Sequence, residues 1–146
     1  MIWAHSATWS DQDRGSITLW LLGLSIAVLF LGGLSLDLWR AFNERRLVAG
    51  IVDAAAIAGA SGIDEPLLRS TGEVRLDPAA AEGRALANLA GHSATVDAAV
   101  TVAADGSAIT VTGSREVPLT LLGVLLPDQG PLTFEVSATS RPQRGP

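Results

Sequence analysis

The sequence predicts an α+β fold in which a long N-terminal helix, first transmembrane and then amphipathic, packs on a small antiparallel sheet. Two observations predict it. Residues 17–36 form an apolar run without a charged side chain. Residues 96–139 contain short segments in which apolar and polar side chains alternate, as they do in strands buried on one face.

The composition limits the class of protein. The 146 residues are 48% hydrophobic and 17% charged, with a net charge of −5. Soluble domains carry about 25% charged residues, so the apolar surplus must be concentrated in one part of the chain. The acidic balance argues against a nucleic-acid partner. The absence of cysteine excludes disulfides, thiolate catalysis and sulfur-ligated metals.

The apolar run at residues 17–36 has the length of a membrane span. A helix of this length covers about 30 Å, the thickness of a bilayer core. Trp20 and Trp39 lie near its two ends, where amphipathic rings favour the membrane interface. We therefore expect a single-pass transmembrane helix after a short leader, residues 1–16. A cleaved secretory signal is the main alternative, but the only Ala-rich candidate site, at 54–60, lies far beyond the run.

The same helix is expected to continue as an amphipathic extension, residues 37–62, and to end near Ser61 with Gly62 as C-cap. Arg40 and Glu44 form an i,i+4 pair of opposite charge. The small residues of this half would let a sheet or a second helix approach closely; they include Ala55, Ala58 and Gly59. One side of this half is apolar at helical spacing: Val48, Ile51, Val52, Ala55 and Gly59. A plain Ala-rich surface helix is the alternative.

The remaining residues, 63–140, are expected to form a small α+β domain followed by a polar tail, 141–146. Residues 64–72 are expected to form a loop or short turn, and residues 73–76 a short edge strand. Asp77 and Pro78 are a favourable helix start, as N-cap and first helical residue, for a helix over 79–90.

Three strands complete the predicted sheet. The first covers 96–102, a turn at 104–107 follows, and the second is indicated by alternation over 109–112. Residues 119–126 read as a buried or interfacial crossover that stops at Pro127. The last strand covers 132–139 with four side chains facing inward: Leu132, Phe134, Val136 and Ala138. Such a sheet needs a cover on its apolar face, which the amphipathic half of the long helix supplies.

The chain shows no motif of a catalytic, cofactor or metal site. His92 lacks the spacing of a metal pair and is expected to be exposed or hydrogen-bonded at a helix end. Asp105 to Ser107 read as a hairpin turn and not as a metal-binding loop. We therefore expect no enzyme activity, no cofactor and no small-molecule substrate. A membrane-bound hydrolase would require a polar pocket that the sequence does not indicate.

Two stretches resemble a known family. The first is DRGSIT at residues 13–18, leading into the apolar run, and the second is RRL at 45–47 followed by DAAAIAGA at 53–60. Together they resemble the TadE/TadG-type pseudopilins of the tight-adherence (Flp, type IVb) pilus system. The resemblance implies a pilin-like α+β fold with a cytoplasmic N-terminus and a small β domain outside the membrane. The closing stretch, 117–139, also fits.

The resemblance raises two specific expectations. The first is an extracytoplasmic C-terminal domain. The flanking arginines indicate the opposite orientation, since one precedes the span and three follow it; we follow the resemblance.

The second concerns processing. Cleavage by a prepilin peptidase would fall between Gly15 and Ser16. Pilin-like substrates usually carry Glu at the fifth position after the cut, where this chain has Trp20. We therefore expect mostly full-length protein.

The function implied is that of a membrane-anchored structural or accessory protein, a minor pseudopilin-like component of Flp/Tad pilus assembly or secretion. Its expected partners are membrane lipid and other pilus or secretion-system membrane proteins. Gly32 and Gly33 would favour close packing with another membrane helix. The alternative is a single-pass sensor or regulatory subunit with an extracytoplasmic α+β domain, unrelated to pili.

Overall fold

The computed structural model of the chain describes residues 11–92, 96–120 and 130–143. The elements in chain order are helices α1 (Asp11–Ala60), α2 (Glu65–Thr71) and α3 (Pro78–Ala90), then strands β1 (Asp97–Val102), β2 (Ile109–Val117) and β3 (Leu132–Ser140). The strands form one antiparallel sheet in the order β1-β2-β3. This confirms the predicted α+β arrangement. The first ten residues of the expected leader, most of the expected crossover with Pro127, and residues 144–146 of the tail lie outside the described residues.

Helix α1 is a single element of 50 residues. It contains no proline, since the first in the chain is Pro66, so nothing interrupts its backbone hydrogen bonds. It ends at Ala60, as expected, but Gly62 does not take the left-handed conformation of a glycine C-cap. A Cβ at Gly62 would lie 2.6 Å from the backbone nitrogen of Ala81. Close approach of α3 therefore accounts for this glycine.

The segment expected to be a loop contains α2, so that prediction is wrong. Asp64 caps the helix by accepting a hydrogen bond from the Leu67 amide at 3.0 Å, and Pro66 lies in the first turn. Gly72 ends the helix with φ 73°, a conformation that glycine adopts without steric cost. These capping signals are all present in the sequence, and only the shortness of the helix conceals it.

The expected edge strand at residues 73–76 is also absent. Leu76 forms one isolated antiparallel bridge with Ile63, and its amide donates to the Gly106 carbonyl at 2.9 Å. The segment is thus held between the end of α1 and the β1–β2 turn and not beside the sheet. Asp77 and Pro78 do start α3 as expected: the Asp77 carboxylate accepts from the Ala80 amide at 3.0 Å.

The β1–β2 hairpin confirms the predicted turn. Gly106 has φ 66°, and the Ser107 amide donates to the Asp105 carboxylate at 3.0 Å. Hydrogen bonds from Ser107, first from its side chain, hold the pKa of Asp105 below its usual range. Strand β2 runs five residues further than the alternation at 109–112 indicated, because Gly113 and the polar residues after it hide its second half.

Strand β3 presents Phe134, Val136 and Ala138 toward α1 as half-buried side chains, as expected. Leu132 is 42% exposed, so its predicted inward position is wrong. It pairs with Val117 at the far end of β2, where the strand has left the main core.

The core lies between α1, α3 and the sheet, because α1 packs against α3, β2 and β3. Its largest fully buried side chains come from α1 and β2: Val48, Val52, Ile109 and Val111. The amphipathic half of α1 therefore covers the sheet as predicted.

Candidate membrane anchor and its junction with the sheet domain

The apolar half of α1 has almost no cover within the chain. Its large side chains are exposed along the whole run, with Trp20 and Leu29 each 75% accessible. Among the described residues, α1 is the one helix long and apolar enough to cross a membrane by length and composition, and 6% of its most apolar window is buried. A core helix of a soluble domain would be mostly buried. This half of α1 thus has the surface of a segment that needs a lipid or protein environment.

The sheet domain begins to cover α1 before the apolar run ends. Gly33, Asp37 and Ala41 are buried at successive turns of one side, and the same side continues as Val48 and Val52. Gly33 lies one turn before the boundary expected at residues 36 and 37. The junction between the exposed and the covered halves therefore falls on the turn that contains Asp37.

Asp37 is the buried charged residue at this junction, with 5% of its surface exposed. Its Oδ1 accepts two hydrogen bonds from Thr120, one from the backbone amide at 3.3 Å and one from the hydroxyl at 2.6 Å. Burying a carboxylate is costly unless hydrogen bonds replace its water. The two bonds therefore tie the segment after β2 to the turn of α1 next to the apolar run.

A second polar contact lies two turns further along α1. The Glu44 carboxylate is 3.0 Å from the Arg115 guanidinium of β2, and each side chain is 29% exposed. The predicted pairing of Glu44 with Arg40 is therefore wrong, because Glu44 faces the sheet. Asp37 and Glu44 thus connect α1 to different parts of the domain, and Arg40 stays exposed.

The residues proposed for helix packing divide into two groups. Ala55 is fully buried, and a Cβ at Gly59 would lie 2.4 Å from Cδ1 of Ile109 and 3.0 Å from the Ala81 carbonyl oxygen. These two face the chain's own domain. Gly32 faces open space, with nothing within 4 Å of its Cβ position, whereas Gly33 is buried.

The structure also gives the surroundings of the expected cleavage position and of His92. Gly15 and Ser16 both lie within α1, so the bond between them is part of a continuous helix. His92 is exposed, and its Nδ1 lies 2.8 Å from the Asn88 carbonyl oxygen, as expected for a helix-end contact. In the part of the chain that the structure describes, no group of three or more metal-binding side chains comes together.

A surface on the exposed side of the junction was not predicted from the sequence. Trp39 is 69% and Phe42 60% exposed, and Arg40, Arg45 and Arg46 are exposed around them. An open cavity of about 450 Å³ adjoins this surface, lined by Gly33, Leu36, Asp37, Trp39, Arg40 and Thr120. The sequence does contain two aromatic residues three positions apart with arginines beside them. Only the structure shows which side of the helix the sheet leaves exposed.

Comparison with known proteins gives one match. Residues 15–62 match the family model described as putative Flp pilus-assembly TadE/G-like. No curated protein and no solved structure matches the chain. The matched residues cover the exposed half of α1, the junction and the covered half as far as Gly62, while the sheet domain lies outside the match. The resemblance inferred from the sequence is thereby confirmed for this segment: over residues 15–62, the chain is similar to the TadE/G-like Flp pilus-assembly family.

Proposed function

We propose that this protein is a membrane-anchored accessory component of an Flp/Tad-type pilus assembly or secretion system. The observation that carries the proposal is the division of α1, whose matched segment combines an exposed apolar half with a half that is built into a folded domain. In this proposal, residues 17–36 cross the membrane once and the domain is held at its surface.

The proposed role is structural, not catalytic. The matched family is one of pilus assembly, and the residues that α1 places at the junction fasten the domain to the helix. The anchor would fix the distance of the domain from the bilayer, because α1 is continuous across the junction. The domain would then present its sheet to other membrane proteins of the system.

The proposed orientation places the C-terminal domain outside the cytoplasm. Arg45 and Arg46 lie two turns or more beyond the apolar run, on a continuous helix that also carries Asp53 on the same exposed side. Both lie within the ~15–20 residues beside a span that the positive-inside rule counts, so the arginines by themselves favour a cytoplasmic domain. The proposed topology instead rests on the arrangement that the resemblance to the pilus-assembly family implies.

A two-step fractionation tests both parts. Protease added to intact spheroplasts is expected to digest the domain. Without protease, the full-length protein is expected to stay in the membrane pellet through an alkaline carbonate wash, because a run of twenty uncharged and mostly apolar residues buries more surface than an interfacial helix does. A fragment starting at Asp37 is the matched control and should be released. Release of the full chain would contradict the anchor, and protection of the domain in spheroplasts would contradict the orientation.

A further inference from the structure

The exposed side of the junction contains aromatic and arginine side chains that the proposed membrane span does not itself require. We define the junction surface as Leu36, Trp39, Arg40, Phe42, Arg45 and Arg46, all of which are exposed. The opposite side of the same turns is buried against the domain, through Asp37 and Ala41. The domain therefore leaves a strip of aromatic rings and guanidinium groups uncovered just beyond the apolar run.

The positions of Trp39 and Phe42 along α1 match the polar layer of a bilayer. With a rise of about 1.5 Å per residue, Trp39 lies about 4.5 Å and Phe42 about 9 Å beyond Leu36. The headgroup layer of one leaflet is about 5–8 Å thick. Helical side chains also point back toward the N-terminus of their helix, which here is the direction of the membrane. Both rings are thus expected in the interfacial layer.

The arginines of this strip have no carboxylate partner among the described residues. Arg40, Arg45 and Arg46 form no ion pair there, because Glu44 is taken by Arg115 on the sheet side. Arginine can bury its aliphatic stem along apolar surface and raise its guanidinium to the headgroup level. Three arginines without an ion-pair partner there concentrate positive charge on the turns after the apolar run, in a chain of net charge −5, before the exposed Asp53 further along α1.

Charge also decides between lipid and a second copy of the chain. Copies anchored in the same membrane would hold their junction surfaces at the same depth, so the arginines of one would face those of the other. Like charges at close range disfavour that contact. Anionic headgroups offer the complementary charge at the same depth.

We propose that the junction surface binds anionic phospholipid, with a lipid phosphate at Arg40 beside the open cavity, while Arg45 and Arg46 attract anionic headgroups from about 13.5–15 Å beyond Leu36. The cavity suits this ligand because its lining combines apolar surface from Gly33, Leu36 and Trp39 with the cationic side chain of Arg40. Asp37 also lines the cavity, and its carboxylate accepts two hydrogen bonds from Thr120; its negative charge disfavours a phosphate beside it, so the phosphate is placed on the Arg40 side of the cavity. The inference rests on the proposed anchoring of α1 and adds a lipid preference to it.

Tryptophan quenching in vesicles tests the proposal on the full chain. Two single-tryptophan proteins are made, one that keeps Trp39 and one that keeps Trp20, with every other tryptophan changed to phenylalanine. Each is reconstituted into vesicles of phosphatidylcholine with a minor fraction of phosphatidylglycerol. In one vesicle set the phosphatidylglycerol is brominated, and in the other an equal fraction of the phosphatidylcholine is brominated. Both sets share one overall composition, so a difference in quenching reports which lipid lies beside the ring.

The expected result is stronger quenching of Trp39 by the brominated phosphatidylglycerol. One arginine near an anionic surface corresponds to an enrichment of about fivefold. The triple variant R40Q/R45Q/R46Q should abolish the difference, whereas R69Q, which changes an exposed arginine on α2, should preserve it. A difference that persists in the triple variant would overturn the proposal.

The remaining outcomes separate this inference from the anchor itself. Quenching of Trp20 with equal quenching of Trp39 by both lipids would leave the anchor standing and overturn the anionic preference. If Trp39 is shielded from acrylamide without lipid quenching, a protein partner covers the surface, and the lipid proposal is wrong. If neither tryptophan is quenched by lipid, α1 is outside the membrane, and the proposed function fails together with the inference.

Discussion

Two glycines of α1 illustrate how one residue type serves opposite purposes on a single helix. Gly50 is exposed and has nothing within 4 Å of its Cβ position, whereas Gly59 faces α3 and the sheet. A methyl group at Gly59 would meet the Ala81 backbone carbonyl, which cannot rotate away, as well as the more adaptable tip of Ile109. Gly59 is therefore required by packing, and Gly50 is not.

We accordingly predict opposite effects of two matched substitutions. Gly50→Ala should stabilise the protein by about 0.5–1 kcal/mol, because alanine loses less backbone entropy in a helix. Gly59→Ala should destabilise it, because overpacking costs about 1–3 kcal/mol and exceeds the same gain. The measurement is the denaturant midpoint of the full chain in mild detergent. Shifts in the same direction for both variants would show that α3 does not need the close approach at Gly59.

Asp37 supplies a second prediction at this scale. Asp37→Ala removes the acceptor for the Thr120 amide and hydroxyl, and loss of a buried hydrogen-bond partner costs about 1–3 kcal/mol. Asp37→Asn retains an acceptor oxygen and should cost less. Hydrogen exchange at the Thr120 amide reads the contact directly: exchange should accelerate strongly in the alanine variant and weakly in the asparagine variant. Unchanged exchange in both would mean that Asp37 does not hold this segment.

Among the elements, those with long and regular patterns were predictable from the sequence. Helix α1 followed from its apolar run and the side that contains Val48 and Val52, and β1 followed from strict alternation. Strand β2 was only half visible because Gly113 interrupts the alternation. The structure gives the reason for this glycine: a Cβ there would lie 2.5 Å from Cγ2 of Val52, so the helix crosses the sheet at that point.

The candidate site was predictable only in part, for a related reason. The anchor at 17–36 is a local property of composition, and so is the presence of aromatic residues and arginines after it. Which side of the helix the sheet covers depends on contacts between residues far apart in sequence, such as Asp37 with Thr120 and Glu44 with Arg115. No local pattern indicates these contacts, so the junction surface became visible only in the folded chain.

The covering role of α1 can be tested by truncation. Of the ten buried residues in the main core cluster, five belong to α1: Val48, Val52, Ala55, Ala56 and Ala60. Full burial contributes about 1.5–3 kcal/mol for each of the two valines and less for each alanine, so their loss reaches the lower end of the stability of a small domain, about 5–15 kcal/mol. A fragment from Asp37 should unfold cooperatively, and a fragment from Asp64 should aggregate or lose cooperative unfolding. Equal behaviour of the two fragments would show that α1 is not part of the core.

For the molecule as a whole, the exposed half of α1 contains the residue that bears on the proposed accessory role. The resemblance implies that the Glu usually found at the fifth position after the cut pairs with a neighbour's amino terminus within the membrane. A carboxylate in lipid is costly alone and tolerated when paired. The corresponding residue here is Trp20, which is 75% exposed and offers a hydrogen-bond donor but no acceptor. Trp20 therefore cannot supply that carboxylate, which supports the accessory role proposed above.

We therefore predict that the protein in its native host is mostly full length and scarce in sheared filaments. The bond between Gly15 and Ser16 follows an arginine, as in prepilin-peptidase sites, but the acidic residue that accompanies such sites is replaced by Trp20. Intact-mass measurement shows whether the protein is processed. A dominant species beginning at Ser16 would refute the prediction of full-length protein. Trp20→Glu is the matched variant and should increase both the processed species and the share recovered in filaments, since it restores the missing carboxylate. Abundant unmodified protein in sheared filaments would contradict the accessory role, because incorporation would then proceed without the carboxylate.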